Sequence, residues 1–395
     1  MKVLQLSKFY PPAHGGIEAV ARDLSAGLVA QGVQVEVLCA HHKLRHVEER
    51  DALGVRITRV ASFGLFLSTS MAPLLPWLLR RRQQQSDRAP DIIHVHMPDP
   101  LAALAVWFAR PQARVVLHWH SDVVRQRLSM ALYRPLQRWL LARADAVIAT
   151  SPAYAQSSPV LRDWLYKVVV IPLGAPQPQP TTPQAVAGVR RRYGDRRMVL
   201  ALGRMTYYKG YEVLIDAAAL LPPEVVVVVG GAGDRLAHYR QLAAQRGLAE
   251  RVRFVGRLPA HRVEAYFAAA EVFVQASTVR AEAFGVAVLE AMARGTPVVS
   301  TQIEGSGLPW LNQHGVTGLK VPPGQAPALA QAIQTLLDDA ALRQRLGAAG
   351  QARWALHFST ETMCVATLAL YRRLLAGELP GAGTEAVTPL NPSTD

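Results

Sequence analysis

A short basic loop follows a strand-like apolar run in the second half of this sequence. The loop is Gly203-Arg-Met-Thr-Tyr-Tyr-Lys-Gly210, which has Arg204 and Lys209 between its two glycines. Two cations at the carboxyl end of a parallel strand suit a diphosphate, and they could stabilise that group as it leaves. An ordinary solvated basic loop is the alternative, and the residues alone leave both open.

Two carboxylates flank a glycine-containing turn in the segment Glu282-Ala-Phe-Gly-Val-Ala-Val-Leu-Glu290. If Gly285 starts a helix, the N–H groups of Phe284, Gly285 and Val286 are open and would face a phosphate. Glu282 then lies in the loop before the helix and Glu290 lies within it. Each could bind hydroxyls, one on a sugar and one on a ribose. A helix cap and a surface glutamate are the simpler alternative, since this spacing is common.

Two adjacent glycines, Gly15 and Gly16, lie between the first predicted strand and the first predicted helix. They leave backbone N–H groups open at a helix N-terminus, which is a geometry that binds phosphate. The pair lacks the Gly-x-Gly-x-x-Gly spacing of dinucleotide sites. By itself it therefore fits a tight turn without a ligand better.

Histidines occur on two neighbouring predicted strands of the first half. His118 and His120 point to the same face if their strand persists, and His94 and His96 lie on the strand before it. Together they could bind a metal, but we expect His94 and His96 to be packed strand residues. The chain also has no Asp-x-Asp pair, a carboxylate pattern that often holds Mg²⁺ or Mn²⁺ beside nucleotide-sugar diphosphates. We therefore predict a site without metal or cofactor.

The elements that position these residues alternate regularly. Short β-rich apolar runs alternate with helical stretches, which is typical of a parallel α/β sheet, and the alternation restarts in the second half. Between the halves lies segment 174–184, where four prolines in eleven residues predict a linker. We predict two Rossmann-like, doubly wound domains facing a central cleft, over residues 1–176 and 177–358. A last helix over 359–376 and a disordered tail over 377–395 follow.

Composition excludes several classes of protein. Half of the 395 residues are hydrophobic and 18% are charged, which excludes a disordered chain. The two cysteines, Cys39 and Cys364, are too few for a disulfide framework and fit a reducing cytoplasm. The sequence shows no secretory signal and no run of ~18 apolar residues, so we expect a cytoplasmic protein without a membrane span.

The net charge of +14 favours an anionic partner. The basic residues are mostly scattered arginines without a nucleic-acid-binding motif, so we expect no nucleic acid. The stretch from Phe63 to Arg82 combines aromatic residues and leucines with three consecutive arginines. That combination suits the interface of an anionic membrane, and we predict peripheral binding there. Packing of Leu74–Leu79 as an ordinary core helix is an equal alternative.

In this order and register, the motifs resemble the family-4 retaining glycosyltransferases of the GT-B fold, over about residues 1–375. The segments that carry the resemblance include KFYPPAHGGIE, HWHSD, LGRMTYYKG, VGGAGD, VRFVGRLP, EAFGVAVLEAMARGTPVVST and HGVTGLKVPPG. The resemblance implies that a sugar moves from a nucleotide diphosphate donor to an acceptor hydroxyl with retained anomeric configuration. It also implies that the last helix crosses back onto the N-terminal domain.

The resemblance assigns a role to each candidate residue. Gly15 and Gly16 would lie against the donor diphosphate, and Arg204 and Lys209 would neutralise it as it leaves. A front-face mechanism follows as our preferred interpretation, in which the leaving phosphate helps to deprotonate the acceptor.

The remaining roles concern the sugar and the nucleoside. Glu282 would hold hydroxyls of the donor sugar with help from the N–H groups of Phe284 and Gly285. Glu290 would bind the ribose hydroxyls, and His120 would lie near the transferred sugar. Arg257 falls where the base is contacted.

The segments HWHSD and WLNQHGVTGLKVPP look like those of bacterial mannosyl- and rhamnosyltransferases that build O-antigen or exopolysaccharide. This resemblance implies a GDP-linked donor, GDP-mannose or a related sugar, and a lipid-linked glycan acceptor. A UDP-hexose donor is the alternative. A nucleotide-sugar 2-epimerase would lack the EAFG…EAMA block in this form. A non-catalytic scaffold of a polysaccharide complex is disfavoured by the intact charged residues.

Overall fold

A computed structural model describes residues 1–13, 15–66, 69–85, 87–123 and 127–380, with the backbone alone for residues 127–130. The chain divides into two compact units. Unit 1 comprises Met1–Leu173 and Thr360–Asp395, and unit 2 comprises Gly174–Ser359. Residues 381–395, which are most of the predicted tail, lie outside the described residues.

Unit 1 contains the first ten strands and the first five helices. The strands are β1 Lys2–Ser7, β2 Gln34–Ala40, β3 Val47–Arg50, β4 Arg56–Val60, β5 Leu65–Phe66, β6 Thr69–Ser70, β7 Ile92–Met97, β8 Arg114–Trp119, β9 Ala146–Ala149 and β10 Val168–Val170. The helices are α1 Gly16–Ala30, α2 Leu75–Gln83, α3 Pro100–Ala109, α4 Arg127–Arg143 and α5 Pro152–Ser157, followed by a 3₁₀ helix over Arg162–Lys167.

Eight of these strands form one sheet in the order β10-β9-β8-β7-β1-β2-β4-β3. All neighbours pair in parallel except β3 and β4. Every residue of β7 is buried, as expected for a central strand that helices cover on both faces. The predicted parallel sheet carries one antiparallel strand, β3, at its edge. There β3 has the exposed sequence VEER, which carries no apolar pattern.

Unit 2 contains the next six strands and eight helices. The strands are β11 Arg197–Leu202, β12 Val225–Gly230, β13 Val252–Gly256, β14 Val272–Gln275, β15 Val298–Thr301 and β16 Gly318–Val321. The helices are α6 Pro183–Arg192, α7 Tyr211–Leu220, α8 Leu236–Gln245, α9 Ala260–Ala269, α10 Val286–Ala293, α11 Leu308–Leu311, α12 Ala326–Asp338 and α13 Ala340–His357, with a 3₁₀ turn at Tyr207–Lys209.

The six strands of unit 2 are parallel and lie in the order β13-β12-β11-β14-β15-β16. Numbered along the chain, this is the 3-2-1-4-5-6 order of a Rossmann sheet. Unit 1 has the same order around β1, extended at both edges. The prediction of two Rossmann-like, doubly wound α/β domains is therefore confirmed.

The predicted linker 174–184 is longer than the connection in the structure, because both of its ends belong to folded parts of unit 2. Pro183 is the first residue of α6, and the Thr182 hydroxyl oxygen accepts a hydrogen bond from the N–H of Ala185 at 3.2 Å. Proline suits the first helical position because its φ is already helical and no N–H is lost. Ala175 is fully buried, and its N–H donates to the Phe358 carbonyl at 2.9 Å.

The last helix, α14 (Thr360–Leu375), belongs to unit 1 and packs against α1. The two helices approach closely at Gly27, where a Cβ atom would lie 2.3 Å from Cys364 Sγ. Both cysteines are buried free thiols. No helix in the described part of the chain has the length and apolarity that a membrane crossing requires.

Candidate active site

The two charged segments predicted in the second half meet in unit 2. Lys209 lies in the loop after β11, and Glu282 lies in the loop after β14. These strands are parallel neighbours at the point where the strand order reverses. Doubly wound sheets bind their ligands beyond the carboxyl ends of the strands at such a switch point.

Close packing of the two loops fixes the position of Lys209. The N–H of Thr278 donates to the carbonyl oxygen of Tyr208 at 2.9 Å. Gly210 has a φ of +68°, and a Cβ atom there would lie 1.9 Å from the Ala276 carbonyl oxygen. Glycine satisfies both the left-handed backbone and this approach. The glycine that follows Lys209 is therefore required by the packing of the two loops.

Glu282 is held in a buried polar cluster. Its Oε2 accepts from Lys209 Nζ, Gln275 Nε2 and Ser277 Oγ, each at 2.7 Å. The side chains of Lys209 and Glu282 are only 11% and 8% exposed, so water screens their interaction little. The sequence alone does not identify Gln275 and Ser277 as site residues. Their only signal was polar residues at the end of an apolar strand.

Helix α10 begins at Val286, and Gly285 is its N-cap with a φ of +106°. In the part of the chain that the structure describes, the N–H groups of Phe284, Gly285 and Val286 donate to no acceptor. The Ser306 hydroxyl donates to the backbone carbonyl of Glu282 at 2.5 Å and so fixes the loop before the helix. Three open donors at the positive end of a helix favour an anion.

The other predicted donor-binding residues of unit 2 lie on three different elements. Glu290 is half-buried on α10. Arg204 is exposed in the loop after β11, with its Nη2 3.5 Å from the Tyr208 hydroxyl. Arg257 is exposed in the loop after β13, which β12 separates from β11. Both arginines follow carboxyl ends of strands, as expected for residues that reach a ligand there.

The glycine pair lies in unit 1 at the start of α1. Gly15 is the N-cap, and α1 begins at Gly16. A Cβ atom on Gly15 would lie 2.0 Å from Glu18 Oε2, whereas one on Gly16 would meet open space. The Glu18 carboxylate thus lies over the first turn, where it complements the helix dipole. His14 lies outside the described residues.

Four histidines of unit 1 form a buried cluster on β7 and at the end of β8. His96 Nδ1 lies 2.9 Å from His120 Nε2, and His94 Nε2 lies 3.2 Å from His118 Nδ1. The rings of His118 and His120 stack with centroids 4.2 Å apart, so the prediction that they share a face is confirmed. Burial lowers the pKa of His120 to about 3, and it lowers the pKa values of the other three well below 6.5.

Two further polar side chains, which sequence analysis missed, complete this cluster. Gln5 Oε1 lies 2.8 Å from His96 Nε2, and the Tyr371 hydroxyl lies 2.6 Å from His94 Nδ1. Gln5 is on β1 and Tyr371 is on α14, so three strands and the last helix contribute. Pairing between distant segments produces this cluster, and no local pattern in the sequence shows it.

The ligand nitrogens of His94, His96 and His118 lie within 4.8 Å of one another. Neighbouring ligands of tetrahedral zinc stand only ~3.3 Å apart, given zinc–nitrogen bonds of about 2.0–2.1 Å. Each of these histidines already has a nitrogen within hydrogen-bond distance of a ring or side chain of the cluster. The arrangement fits a hydrogen-bonded network better than a metal centre.

Asp122 fixes the turn that follows β8. Its Oδ1 accepts from the Trp119 indole N–H and from the Ser158 hydroxyl, both at 2.9 Å. Its own N–H donates to the Tyr154 hydroxyl at 2.5 Å. The carboxylate therefore supports the segment that carries His120.

Some residues of the Phe63–Arg82 stretch are exposed and others pack in the core of unit 1. Leu75 and Leu79 are 3% and 0% exposed, whereas Phe63 and Trp77 are 73% and 49% exposed. Arg82 is buried against Glu36 and Thr58. The expectation that all three arginines face a membrane is therefore wrong for Arg82, because the helical period turns this residue inward.

Comparison with protein-family models gives two matches. The model described as Glycosyltransferase Family 4 matches residues 14–177, and the model described as Glycosyl transferases group 1 matches residues 187–353. The chain is 35% identical to O-antigen chain mannosyltransferase C of Escherichia coli, over 95% of this chain and 99% of that protein. It is 33% identical to D-rhamnosyltransferase WbpZ of Pseudomonas aeruginosa, over 91% of this chain and 92% of that protein.

Solved structures share the fold. A sucrose-phosphate synthase from Thermosynechococcus elongatus superposes with a TM-score of 0.80 at 26% identity, over 95% of this chain and 99% of that chain. Anabaena HepE, solved with UDP and glucose, gives a TM-score of 0.76 at 23% identity, over 94% and 99%. The resemblance inferred from the motifs is thus confirmed. This chain belongs to the glycosyltransferases of the GT-B fold, with a family 4 domain followed by a group 1 domain.

Proposed function

We propose that this glycosyltransferase moves mannose or a related hexose from a GDP-linked donor to a hydroxyl of a lipid-linked glycan in O-antigen or other surface polysaccharide synthesis. The transfer retains the anomeric configuration and needs no metal. The buried Lys209–Glu282 pair beside the open N-terminus of α10 is the observation that carries this proposal.

The pair suits a nucleotide-sugar donor because it combines the two charges that such a donor needs. The diphosphate requires cations as its charge grows on departure, and Lys209 and Arg204 lie in the same loop to supply them. The sugar hydroxyls require acceptors, and the Glu282 carboxylate is oriented by Gln275 and Ser277 to provide them. In unit 1, His120 would contact the transferred sugar, and Gly15 and Gly16 would contact the diphosphate.

The nucleoside would be held further along unit 2. Glu290, on α10, would bind the ribose hydroxyls, and Arg257 would contact the base. The N–H groups of Phe284, Gly285 and Val286 would face the sugar and the phosphates. The relatives named as a mannosyltransferase and a D-rhamnosyltransferase support the proposed class of sugar. A UDP-hexose is the alternative donor.

A lipid-linked acceptor lies in a membrane, so the enzyme must reach the membrane surface. We propose that it binds the anionic cytoplasmic face of the membrane peripherally, through α2 and α3 of unit 1. Trp107 and Phe108 on α3 are 42% and 41% exposed, and they add to the exposed Phe63 and Trp77. Arg80 and Arg81 are exposed beside these rings. Aromatic rings with arginines suit the headgroup region of an anionic bilayer.

A binding and transfer panel tests the proposal. We expect GDP to raise the Tm more than UDP, ADP or TDP, because only a nucleotide that binds the folded state stabilises it. With GDP-mannose and a lipid-linked glycan from O-antigen synthesis, we expect transfer that persists in EDTA and gives the α-anomer by NMR. Transfer that EDTA abolishes and Mg²⁺ restores would contradict metal independence. A larger response to UDP would favour the alternative donor.

A further inference from the structure

We propose that Gln5 and His96 are positioning residues that set the tautomer of His120, so that Nδ1 of His120 is a hydrogen-bond acceptor for a substrate hydroxyl. The function of that acceptor rests on the proposed glycosyl transfer. The hydrogen-bond arrangement itself does not.

The three side chains form one continuous line across neighbouring strands. Gln5 is on β1, His96 is on β7, and His120 directly follows β8. Gln5 Oε1 lies 2.8 Å from His96 Nε2, and His96 Nδ1 lies 2.9 Å from His120 Nε2. Both distances are those of well-formed hydrogen bonds.

The direction of these bonds follows from the chemistry of the groups. The Gln5 amide is placed with its oxygen toward His96, and an amide oxygen only accepts, so in this arrangement His96 carries its proton on Nε2. A neutral imidazole has one donor and one acceptor nitrogen, so His96 Nδ1 accepts from His120 Nε2. His120 therefore carries its proton on Nε2, and its Nδ1 keeps a lone pair. In the described part of the chain, no residue donates a hydrogen bond to that atom.

Burial determines which of these residues a ligand can reach and keeps their rings neutral. Gln5 and His96 are 0% and 1% exposed, whereas His120 is 7% exposed. Of the three hydrogen-bonded residues, His120 is therefore the one that a ligand can reach. It lies beyond the carboxyl ends of the strands, where such folds bind ligands. Because burial keeps the imidazoles neutral, His120 can accept a hydrogen bond at neutral pH instead of presenting a cation.

A second pair of bonds in the same cluster provides a matched control. Tyr371 reaches His94, and His94 reaches His118, without passing through Gln5. Tyr371 and His94 lie in the same core and are as deeply buried as Gln5 and His96. If both pairs of bonds were purely structural, breaking either one would have the same effect on the His120 tautomer and on kcat. If Gln5 positions His120, only loss of the Gln5–His96 bond changes them.

The direct test is ¹⁵N NMR of the histidine rings in the full chain, without substrate. Long-range ¹H–¹⁵N correlation distinguishes the two neutral tautomers, and the His120 signals are assigned by their loss in His120→Asn. We expect the Nε2–H form in the wild type and in Tyr371→Phe. In Gln5→Met, His96 loses its acceptor, and we expect His120 to shift toward the Nδ1–H form. Gln5→Glu, which keeps an acceptor oxygen, should retain the wild-type form.

Kinetics then connect the tautomer to transfer. We expect Gln5→Met to lower kcat ~10-fold with little change in donor KM, which is the size of effect that removal of the partner of a metal-binding histidine has. Tyr371→Phe should keep kcat within twofold of the wild type. An Nδ1–H His120 in the wild type, or an unchanged tautomer in Gln5→Met, would overturn the proposal. The wild-type spectrum decides even if Gln5→Met fails to fold. Absence of transfer with a normal spectrum would count against the proposed function only.

Discussion

Lys209 Nζ lies 2.7 Å from Glu282 Oε2, and both side chains are almost fully buried. Two groups expected to bind different parts of a donor therefore neutralise each other across the switch point of the sheet. Breaking a buried ion pair on one side leaves a charge that water cannot solvate. The pair therefore contributes to stability as well as to any chemistry, and a test must separate the two.

Exchange of both partners for neutral isosteres separates stability from catalysis. We expect Lys209→Met to lower the free energy of unfolding by about 3–5 kcal/mol, because the Glu282 carboxylate stays buried without its cation. The double variant Lys209→Met with Glu282→Gln should regain most of that stability. It should still lose turnover by 10²–10³, since the leaving diphosphate has lost a cation. Urea unfolding and initial rates measure the two effects, and recovery of both in the double variant would contradict the catalytic assignment.

Arg204 tests the diphosphate assignment without a large effect on stability. The residue is exposed, so we expect Arg204→Ala to leave the Tm nearly unchanged and to lower kcat by about 10²-fold. Arg240→Ala removes another exposed arginine, on α8, and is the control. Equal rates for the two variants would show that Arg204 has no special role.

The buried histidines make stability depend on pH. Each has a pKa below the unfolded value of 6.5, so the unfolded chain binds more protons as the pH falls. Their contribution is therefore complete above about pH 6.5 and declines below it, by up to about 1.4 kcal/mol per pH unit for each histidine. Urea unfolding at several pH values measures this slope.

His120→Asn should reduce the proton uptake on unfolding by about one, because the folded chain keeps this imidazole neutral. Stability that does not decline between about pH 6.5 and pH 5 would show that these histidines are not neutral in the folded state.

Membrane binding should depend on exposed residues of the Phe63–Arg82 stretch and not on its buried arginine. Sedimentation with anionic vesicles should carry the wild type down at low salt, and Arg80→Gln with Arg81→Gln should weaken this, since each arginine near the surface adds about 1 kcal/mol. Phe63→Ser should also weaken it. Leu356→Ser, at a 68% exposed position in unit 2, is the control.

Arg82→Gln should instead destabilise the fold, because it leaves the Glu36 carboxylate without the cation that it pairs with. A wild type that stays in the supernatant at low salt would contradict membrane binding.

The sequence predicts the sheets and the loops that carry charge, because both depend on local patterns. Apolar runs separated by helical stretches identify nearly every central strand, and glycines mark the loops around Lys209 and Glu282. Contacts between distant segments are not predictable in this way. The Lys209–Glu282 pair requires knowing that β11 and β14 are neighbours, and the histidine network requires the same for β1, β7 and β8.

Three other differences between the prediction and the structure have local physical causes. β3 has no apolar pattern, since it is an exposed edge strand. Proline breaks helices in their interior, which places Pro183 in the predicted linker, but proline favours the first turn of a helix, where Pro183 lies. Arg82 differs from Arg80 and Arg81 only in the face of α2 on which it lies. Three consecutive arginines give no sign of which one faces the core.

Acceptor-dependent release of GDP follows the proposed transfer itself. Purified protein would be given GDP-mannose, with and without a lipid-linked glycan acceptor, and compared with the Lys209→Met and Glu282→Gln double variant. We predict GDP release in the wild type that requires the acceptor, continues in EDTA and falls by at least about 10²-fold in the double variant. Equal release from the two proteins, or release of UDP from UDP-glucose in place of GDP, would contradict the proposed transfer and its donor.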